Sequence, residues 1–493
     1  MDAPLPPSNQ PGESRGIPLH DQVRNAVIWR SGSQIVAQLV QWAATFLVIR
    51  ILQPADYGLY AMTGIVLGFL NLLNGYSLAS GLIRAPEITQ RKIRQLFGML
   101  LLLNGALAAL QFAVAPLVAT YYRQDAVATM LRVQCLLYLA TPFIALPYAL
   151  LSRELDFAEQ AKVNIVAALA GAGAALGGAL AGWGVWTLVW APIVLFGARA
   201  VGMTWAARSL VWPLFRFGGA EELTRYGGTL AAGQFFWFAQ AQADVLIAGR
   251  SFDAATLGLY TTALFLTQIF QNKVVPPLNE VAFSAYARLQ DQPGEVGRAF
   301  VRSAGAIMAA AMPVYLGMAA TAGPLVEVAL GKHWAGAAPV VRLLGCAMPF
   351  MTLYVLMPPA SDAIGRPGIG VRASIVGAIV LPLAYLVGVR WGVTGLAAAW
   401  LATYPVMLVV LGRRVLPAIG VTAPALARAV APPVMAAIAM AAVVTLVDQG
   451  LPSMPMFARL TLLVALGAGT YAGWLLAFAR STVAEVVALV RRR

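Results

Sequence analysis

Long apolar runs alternate with short polar breaks from about residue 24 to residue 480. Runs such as Met99 to Ala119 and Ala429 to Val447 carry no charge at all, and each is close to the ~20 residues an α-helix needs to cross a hydrocarbon core. Reading runs against breaks predicts fourteen spans, near 26–50, 59–83, 96–120, 127–151, 161–182, 184–206, 226–249, 258–281, 299–323, 337–359, 370–389, 392–412, 426–447 and 457–479. An outer-membrane barrel would instead show short segments of alternating hydrophobicity. The pattern therefore predicts an all-α, polytopic membrane protein of about fourteen transmembrane helices. The breaks are short, the longest from about Ala207 to Arg225, which leaves no room for a separate soluble domain.

Composition agrees. Of 493 residues 60% are hydrophobic and 11% charged, against roughly 25% charged in a soluble domain. The net charge of +14 raises the question of nucleic acid, which the distribution of the basic residues answers. With a cytoplasmic N-terminus, 25 of the 34 Lys and Arg fall on the inner side, as the positive-inside rule requires. Both termini are then expected in the cytoplasm of a bacterial inner membrane, and no nucleic-acid partner is needed. Residues 1–22 hold five prolines and no apolar run, so a disordered tail is expected and no cleavable signal peptide. Cys135, Cys346, His20 and His333 are too few and too scattered for a disulfide frame, a metal centre or a metal cofactor.

An offset of 200 residues superposes Gln34 on Gln234, Ala43 on Ala243, Arg50 on Arg250, Ala55 on Ala255, and Gly58-Leu59-Tyr60 on Gly258-Leu259-Tyr260. Spans 1–2 thus repeat in spans 7–8. An offset of six spans, an even number, keeps both copies in the same orientation, as in parallel-repeat transporters. The expected organisation is a tail (1–22), a six-helix lobe (23–206), a cytoplasmic linker (207–225), a second, pseudo-symmetric six-helix lobe (226–414), two extra helices (415–480) and a basic tail (481–493).

The segments Leu52-Gln53-Pro54-Ala55-Asp56-Tyr57-Gly58-Leu59-Tyr60, Gly81-Leu82-Ile83-Arg84, Leu257-Gly258-Leu259-Tyr260 and Leu330-Gly331-Lys332-His333-Trp334, in that order and on that helix count, resemble the polysaccharide-transporter branch of the multidrug/oligosaccharidyl-lipid/polysaccharide exporter superfamily. The resemblance runs over about residues 24–480. It implies a flippase for a lipid-linked oligosaccharide, with a cavity between two six-helix lobes.

Ionisable groups inside a span are costly and are functional candidates by default. Lys273 is the clearest: a rise of 1.5 Å per residue puts it about 22 Å below the outer end of span 8, either in a polar cavity or reaching the inner interface beside Glu280. By the same rise Gln34, Asn71, Asn74, Gln234, Gln271 and Asn272 fall about 20–24 Å below the outer ends of spans 1, 2, 7 and 8. One polar layer on four spans suits hydroxyl-rich sugar and phosphate; interhelical hydrogen bonding is the alternative for any one amide. Pro276 and Pro277 remove hydrogen bonds to the carbonyls of Asn272 and Lys273, which predicts a kink at that layer. Asp244, about 9 Å below the outer end of span 7, either binds a coupling proton or sodium ion or pairs with Arg50 or Arg250. Arg30 and Arg24 at the inner mouth either attract a pyrophosphate or anchor the helix. Asp56 reads as a cap in a helix-hairpin turn, Tyr60 and Tyr260 as interfacial aromatics, and Lys332-His333-Trp334 as an outer-interface string. The pairs Gly173/Gly177 and Gly178/Gly182 read as small-residue packing positions.

These residues point to an inner-membrane flippase that moves a polyprenyl-pyrophosphate-linked oligosaccharide from the cytoplasmic to the outer leaflet by alternating access, for surface polysaccharide synthesis, its lipid tail remaining among the membrane lipids. A cation-coupled multidrug exporter of the same superfamily would carry cavity carboxylates, whereas spans 1 and 2 offer none. A polytopic polymerase or glycosyltransferase would need carboxylates on a substantial outer loop.

Overall fold

The computed structural model describes residues 19–75, 79, 82, 89–154, 157–216, 238–292 and 294–480. Those residues are helical apart from turns and short connections, with no strand. Ten of the helical stretches are long and apolar enough to cross a membrane. The chain forms two compact units, residues 1–235 and 236–493.

The first unit contains α1 (Leu19–Ile51), α2 (Pro54–Asn71), α3 (Gln90–Tyr122), α4 (Asp125–Gln134), α5 (Leu136–Ala140), α6 (Pro142–Arg153), α7 (Phe157–Leu180) and α8 (Val185–Ala206). The second contains α9 (238–251), α10 (Ala254–Lys273), α11 (Val275–Arg288), α12 (Glu295–Ala320), α13 (Ala322–Ala329), α14 (Ala338–Leu356), α15 (Pro358–Ala363), α16 (Gly368–Gly388), α17 (Gly392–Ala418), α18 (Ala423–Gly450) and α19 (Met456–Phe478). Among the described residues each predicted span meets helix; residues 226–237 of span 7 and most of 76–83 of span 2 lie outside them.

The 200-residue repeat is written in the backbone. α1 ends at Ile51 and α2 begins at Pro54; α9 ends at 251 and α10 begins at Ala254. Leu52 N–H donates to Val48 O at 2.9 Å, and Phe252 N–H to Ala248 O at 2.8 Å. Each following helix has a carboxylate at its start, where orphan N–H groups need acceptors. Asp56 Oδ2 accepts from Gln53 N–H at 3.0 Å, and Asp253 Oδ1 from Thr256 N–H at 3.0 Å. Asp56 is therefore the third residue of α2 reaching back to Gln53, not the cap itself.

Three further expectations change. α2 stops at Asn71, twelve residues short of the predicted end of span 2, because a turn follows in which Gly75 takes φ +85°. Hydropathy averages over such a turn. Of the glycines expected to pack, Gly178 does, where a Cβ would lie 3.1 Å from Thr187 Oγ1, and Gly171 joins it, where a Cβ would lie 2.7 Å from Leu195 Cβ, while Gly173, Gly177 and Gly182 face open space. In the Lys332-His333-Trp334 string, Trp334 is fully buried in a 3-10 turn, Lys332–Ala337, which packs against α10, α13 and α14, while Lys332 and His333 are exposed.

Beyond α8 the chain runs without helix over residues 209–216 and is tied to the start of α3. Leu214 N–H donates to Arg94 O at 2.9 Å, Arg94 Nε to Trp212 O at 3.0 Å, and Gln95 Nε2 to Arg216 O at 2.6 Å. Gly98 makes that approach feasible, since a Cβ there would sit 2.6 Å from Leu214 O. In the second unit the predicted kink is present. α10 ends at Lys273 and α11 starts two residues later with prolines in its first turn, where a missing N–H costs nothing. Asn279 Nδ2 then donates to Val355 O at 3.1 Å and fixes α11 against α14.

Candidate functional site

Asp244, on α9, is wholly buried. The Tyr260 hydroxyl of α10 donates to its Oδ2 at 2.6 Å, and Trp400 Nε1 of α17 donates to the Tyr260 oxygen at 2.9 Å. Trp400 stacks on Tyr404, with centroids 5.0 Å apart and planes at 25°, and Tyr385 lies 6.0 Å from Trp400. Tyr354 meets Tyr404 edge-on at 6.1 Å. All these rings are buried. No hydrogen bond of normal geometry reaches Asp244 Oδ1. One turn earlier, buried Gln240 likewise has an oxygen without a donor; it presses on Gly377, where a Cβ would collide with it.

A carboxylate taken out of water is costly unless donors or a positive charge meet it. Here one oxygen is met by a phenol and the other is left over. The arrangement suits transient occupation by a cation or proton. Sequence offered arginine pairing or ion binding for Asp244; the structure supplies the Tyr260 hydroxyl to Oδ2. Tyr260 is accordingly not an interfacial aromatic, because its phase on α10 turns it toward α9. Tyr260, Trp400 and Gln240 were missed as site residues. An aspartate in an apolar run was the only signal, and nothing in sequence joins it to a tryptophan more than 150 residues later.

The predicted amide layer divides into inward and outward members. Gln271 is buried, and its Oε1 accepts from Thr352 Oγ1 at 3.0 Å; Thr352 in turn lies 3.1 Å from the Tyr315 hydroxyl. Asn272 and Lys273, the next two residues, are exposed at the end of α10. Asn74 is buried and donates to Asn71 Oδ1 at 2.5 Å, while Asn71 itself is exposed. Gln34 is exposed on α1. Gln234, and the side chains of Arg24 and Arg30, lie outside the described residues.

The first unit also buries amides that the reading of spans 3 and 4 passed over. Asn104 Nδ2 donates to Asn74 O at 3.0 Å, Gln134 Nε2 to Thr63 Oγ1 at 3.2 Å, and the Tyr138 hydroxyl to Gln111 Oε1 at 3.1 Å. Asn104 and Gln111 stand inside the charge-free Met99–Ala119 run, where absence of charge hid them. Among the described residues no group of His, Cys, Asp and Glu is arranged to hold a metal ion.

Relatives and solved structures bear on what such a bundle does. The teichuronic acid biosynthesis protein TuaB of Bacillus subtilis (strain 168) is 20% identical over 407 residues, 78% of this chain and 83% of its own. The succinoglycan biosynthesis transport protein ExoT of Rhizobium meliloti (strain 1021) is 23% identical over 355 residues, 72% of each chain. A solved structure of the lipid II flippase MurJ, in an inward closed conformation, shares the fold with a TM-score of 0.72 and 11% identity, over 92% of this chain and all of that one. Residues 47–339 match the family described as polysaccharide biosynthesis protein. With more than half its length matched, the chain belongs to the polysaccharide biosynthesis protein family.

Proposed function

We propose that the protein is a bacterial inner-membrane flippase that carries a polyprenyl-pyrophosphate-linked oligosaccharide from the cytoplasmic to the outer leaflet by alternating access, for surface polysaccharide synthesis. The observation that carries this reading is the conjunction of a polysaccharide-biosynthesis family match with a fold shared over 92% of the chain with a lipid II flippase. Both termini lie in the cytoplasm, consistent with the basic inner segments. The oligosaccharide and its pyrophosphate pass through the protein while the lipid tail stays among the membrane lipids.

In this reading Lys273 and Arg30 neutralise phosphate, and Gln34, Asn71, Asn74, Gln234, Gln271 and Asn272 hydrogen-bond or position the glycan. Exposure of Asn272 and Lys273 directly after buried Gln271 supports the assignment, since Gln271 anchors the helix end that presents them. Asp244 takes the coupling proton or sodium ion. Outward movement of two phosphate charges across an inside-negative potential of 100 mV gains up to about 4.6 kcal/mol, so the potential alone is one sufficient energy source, and a proton or sodium antiport is the other.

Loss of the gene separates this function from that of a polymerase. A flippase acts before the outer leaflet is reached, so its absence traps lipid-linked repeat units facing the cytoplasm. Intact spheroplasts of a deletion strain lacking any substitute flippase are expected to leave the accumulated glycan unlabelled by a membrane-impermeant reagent, with labelling appearing after the cells are opened. Single repeat units labelled in intact spheroplasts, with no inward-facing pool, would assign the protein to polymerisation.

A further inference from the structure

We infer that the first unit carries a binding site for an anionic phospholipid, built from the C-terminal half of α8, Phe143 of α6 and the start of the 209–216 segment. A groove of about 700 Å³ lies there, walled by Phe143, Ala200, Val201, Trp205 and Leu210, with Gly197 at one end and Arg208 at the other. Its only other polar wall residue, Thr204, gives its hydroxyl hydrogen to Phe143 O at 3.0 Å. The surface is thus apolar along its length and cationic at one end.

The lining positions 197, 200, 201, 204 and 205 form one stripe of α8, which Arg208 continues in the turn that closes the helix. From Gly197 to Arg208 that stripe rises about 16 Å, roughly half the ~30 Å hydrocarbon core. This is the depth of one leaflet and fits a single acyl chain, whereas a polyprenyl carrier is far longer. Trp205 and Trp212, 82% and 84% exposed, flank the cationic end, as aromatic residues do at a membrane interface.

Arg208 has an unusual backbone for its type. α8 ends with Arg208 N–H donating to Trp205 O and Ser209 N–H to Thr204 O, both at 3.2 Å; this double closure normally places glycine in the left-handed position. Arg208 holds it with φ +46°. An arginine retained where glycine costs less is an outlier of the kind that accompanies a functional constraint. Gly197 is the converse: a Cβ there would meet nothing within 4 Å, so the absent side chain leaves the groove its depth. A phosphate at Arg208 and an acyl chain running toward Gly197 satisfy both features.

Two substitutions remove the site without threatening the fold. Arg208→Gly suits the left-handed position, and Gly197→Phe adds a side chain into open space. Native mass spectrometry of the purified full-length protein, titrated with phosphatidylglycerol, phosphatidylethanolamine or undecaprenyl phosphate, reads the outcome. The wild type is expected to retain phosphatidylglycerol in preference to both other lipids. Each variant is expected to lose about fivefold or more of that retention, with thermal unfolding of the lipid-free protein unchanged or raised. Equal retention of phosphatidylglycerol and phosphatidylethanolamine, preference for undecaprenyl phosphate, or undiminished phosphatidylglycerol in both variants would overturn the proposal. Wild-type lipid selectivity decides the matter even if a variant fails to fold.

Discussion

Asp244→Asn is expected to abolish ion-coupled export, lowering it at least about tenfold, while the protein still folds and reaches the membrane. The asparagine keeps the shape of the side chain and an oxygen to accept the Tyr260 hydroxyl, now 2.6 Å from Oδ2, so the chain from Trp400 through Tyr260 survives. What it loses is the negative charge to which the proposed coupling assigns uptake and release of a cation. Asp244→Leu is expected to behave differently. It strands the buried Tyr260 hydroxyl, a loss of about 1–3 kcal/mol, and lowers the thermal midpoint as well as export. Measuring export and thermal unfolding on the same preparations separates the two effects. Full export by the asparagine variant would remove Asp244 from coupling and leave it a packing residue.

Lys273→Ala is expected to reduce export strongly at normal protein levels, and Lys273→Arg to restore part of it, because the charge returns with different geometry. The competing explanation is structural. Lys273 is the last residue of α10, where a cation offsets the helix dipole by about 0.3–1 kcal/mol. On that explanation the alanine variant loses a little stability and no transport. Surface polysaccharide yield, normalised to membrane-inserted protein, distinguishes the two. Undiminished yield in the alanine variant would confine Lys273 to the helix end.

Sequence made the scaffold legible because hydropathy is set residue by residue. Among the described residues all fourteen runs meet helix, and Pro276 with Pro277 mark the break after Lys273. The repeat was equally readable, since Gly58-Leu59-Tyr60 and Gly258-Leu259-Tyr260 occupy matching places in two identical helix connections. What sequence hid depends on which side of a helix meets which neighbour. Tyr260 reads as an interface aromatic until α10 is rotated against α9, when its hydroxyl faces Asp244. Within the Lys332-His333-Trp334 string, only the 3-10 turn shows that Trp334 folds inward. Of the two glycines that α8 crosses closely, Gly178 stands in a pair that spacing picks out and Gly171 does not, because spacing along one helix carries no information about its partner.

The central claim is translocation of a lipid-linked glycan, and it is tested most directly with purified protein in proteoliposomes. A fluorescent polyprenyl-pyrophosphate oligosaccharide, distributed over both leaflets, is exposed to a membrane-impermeant quencher. With active protein and an imposed inside-negative potential, quenching is expected to pass beyond the outer-leaflet half and approach completion, while empty vesicles stop near half. Quenching that stops near half in vesicles containing correctly folded wild-type protein, with or without a potential or a proton or sodium gradient, would contradict the account.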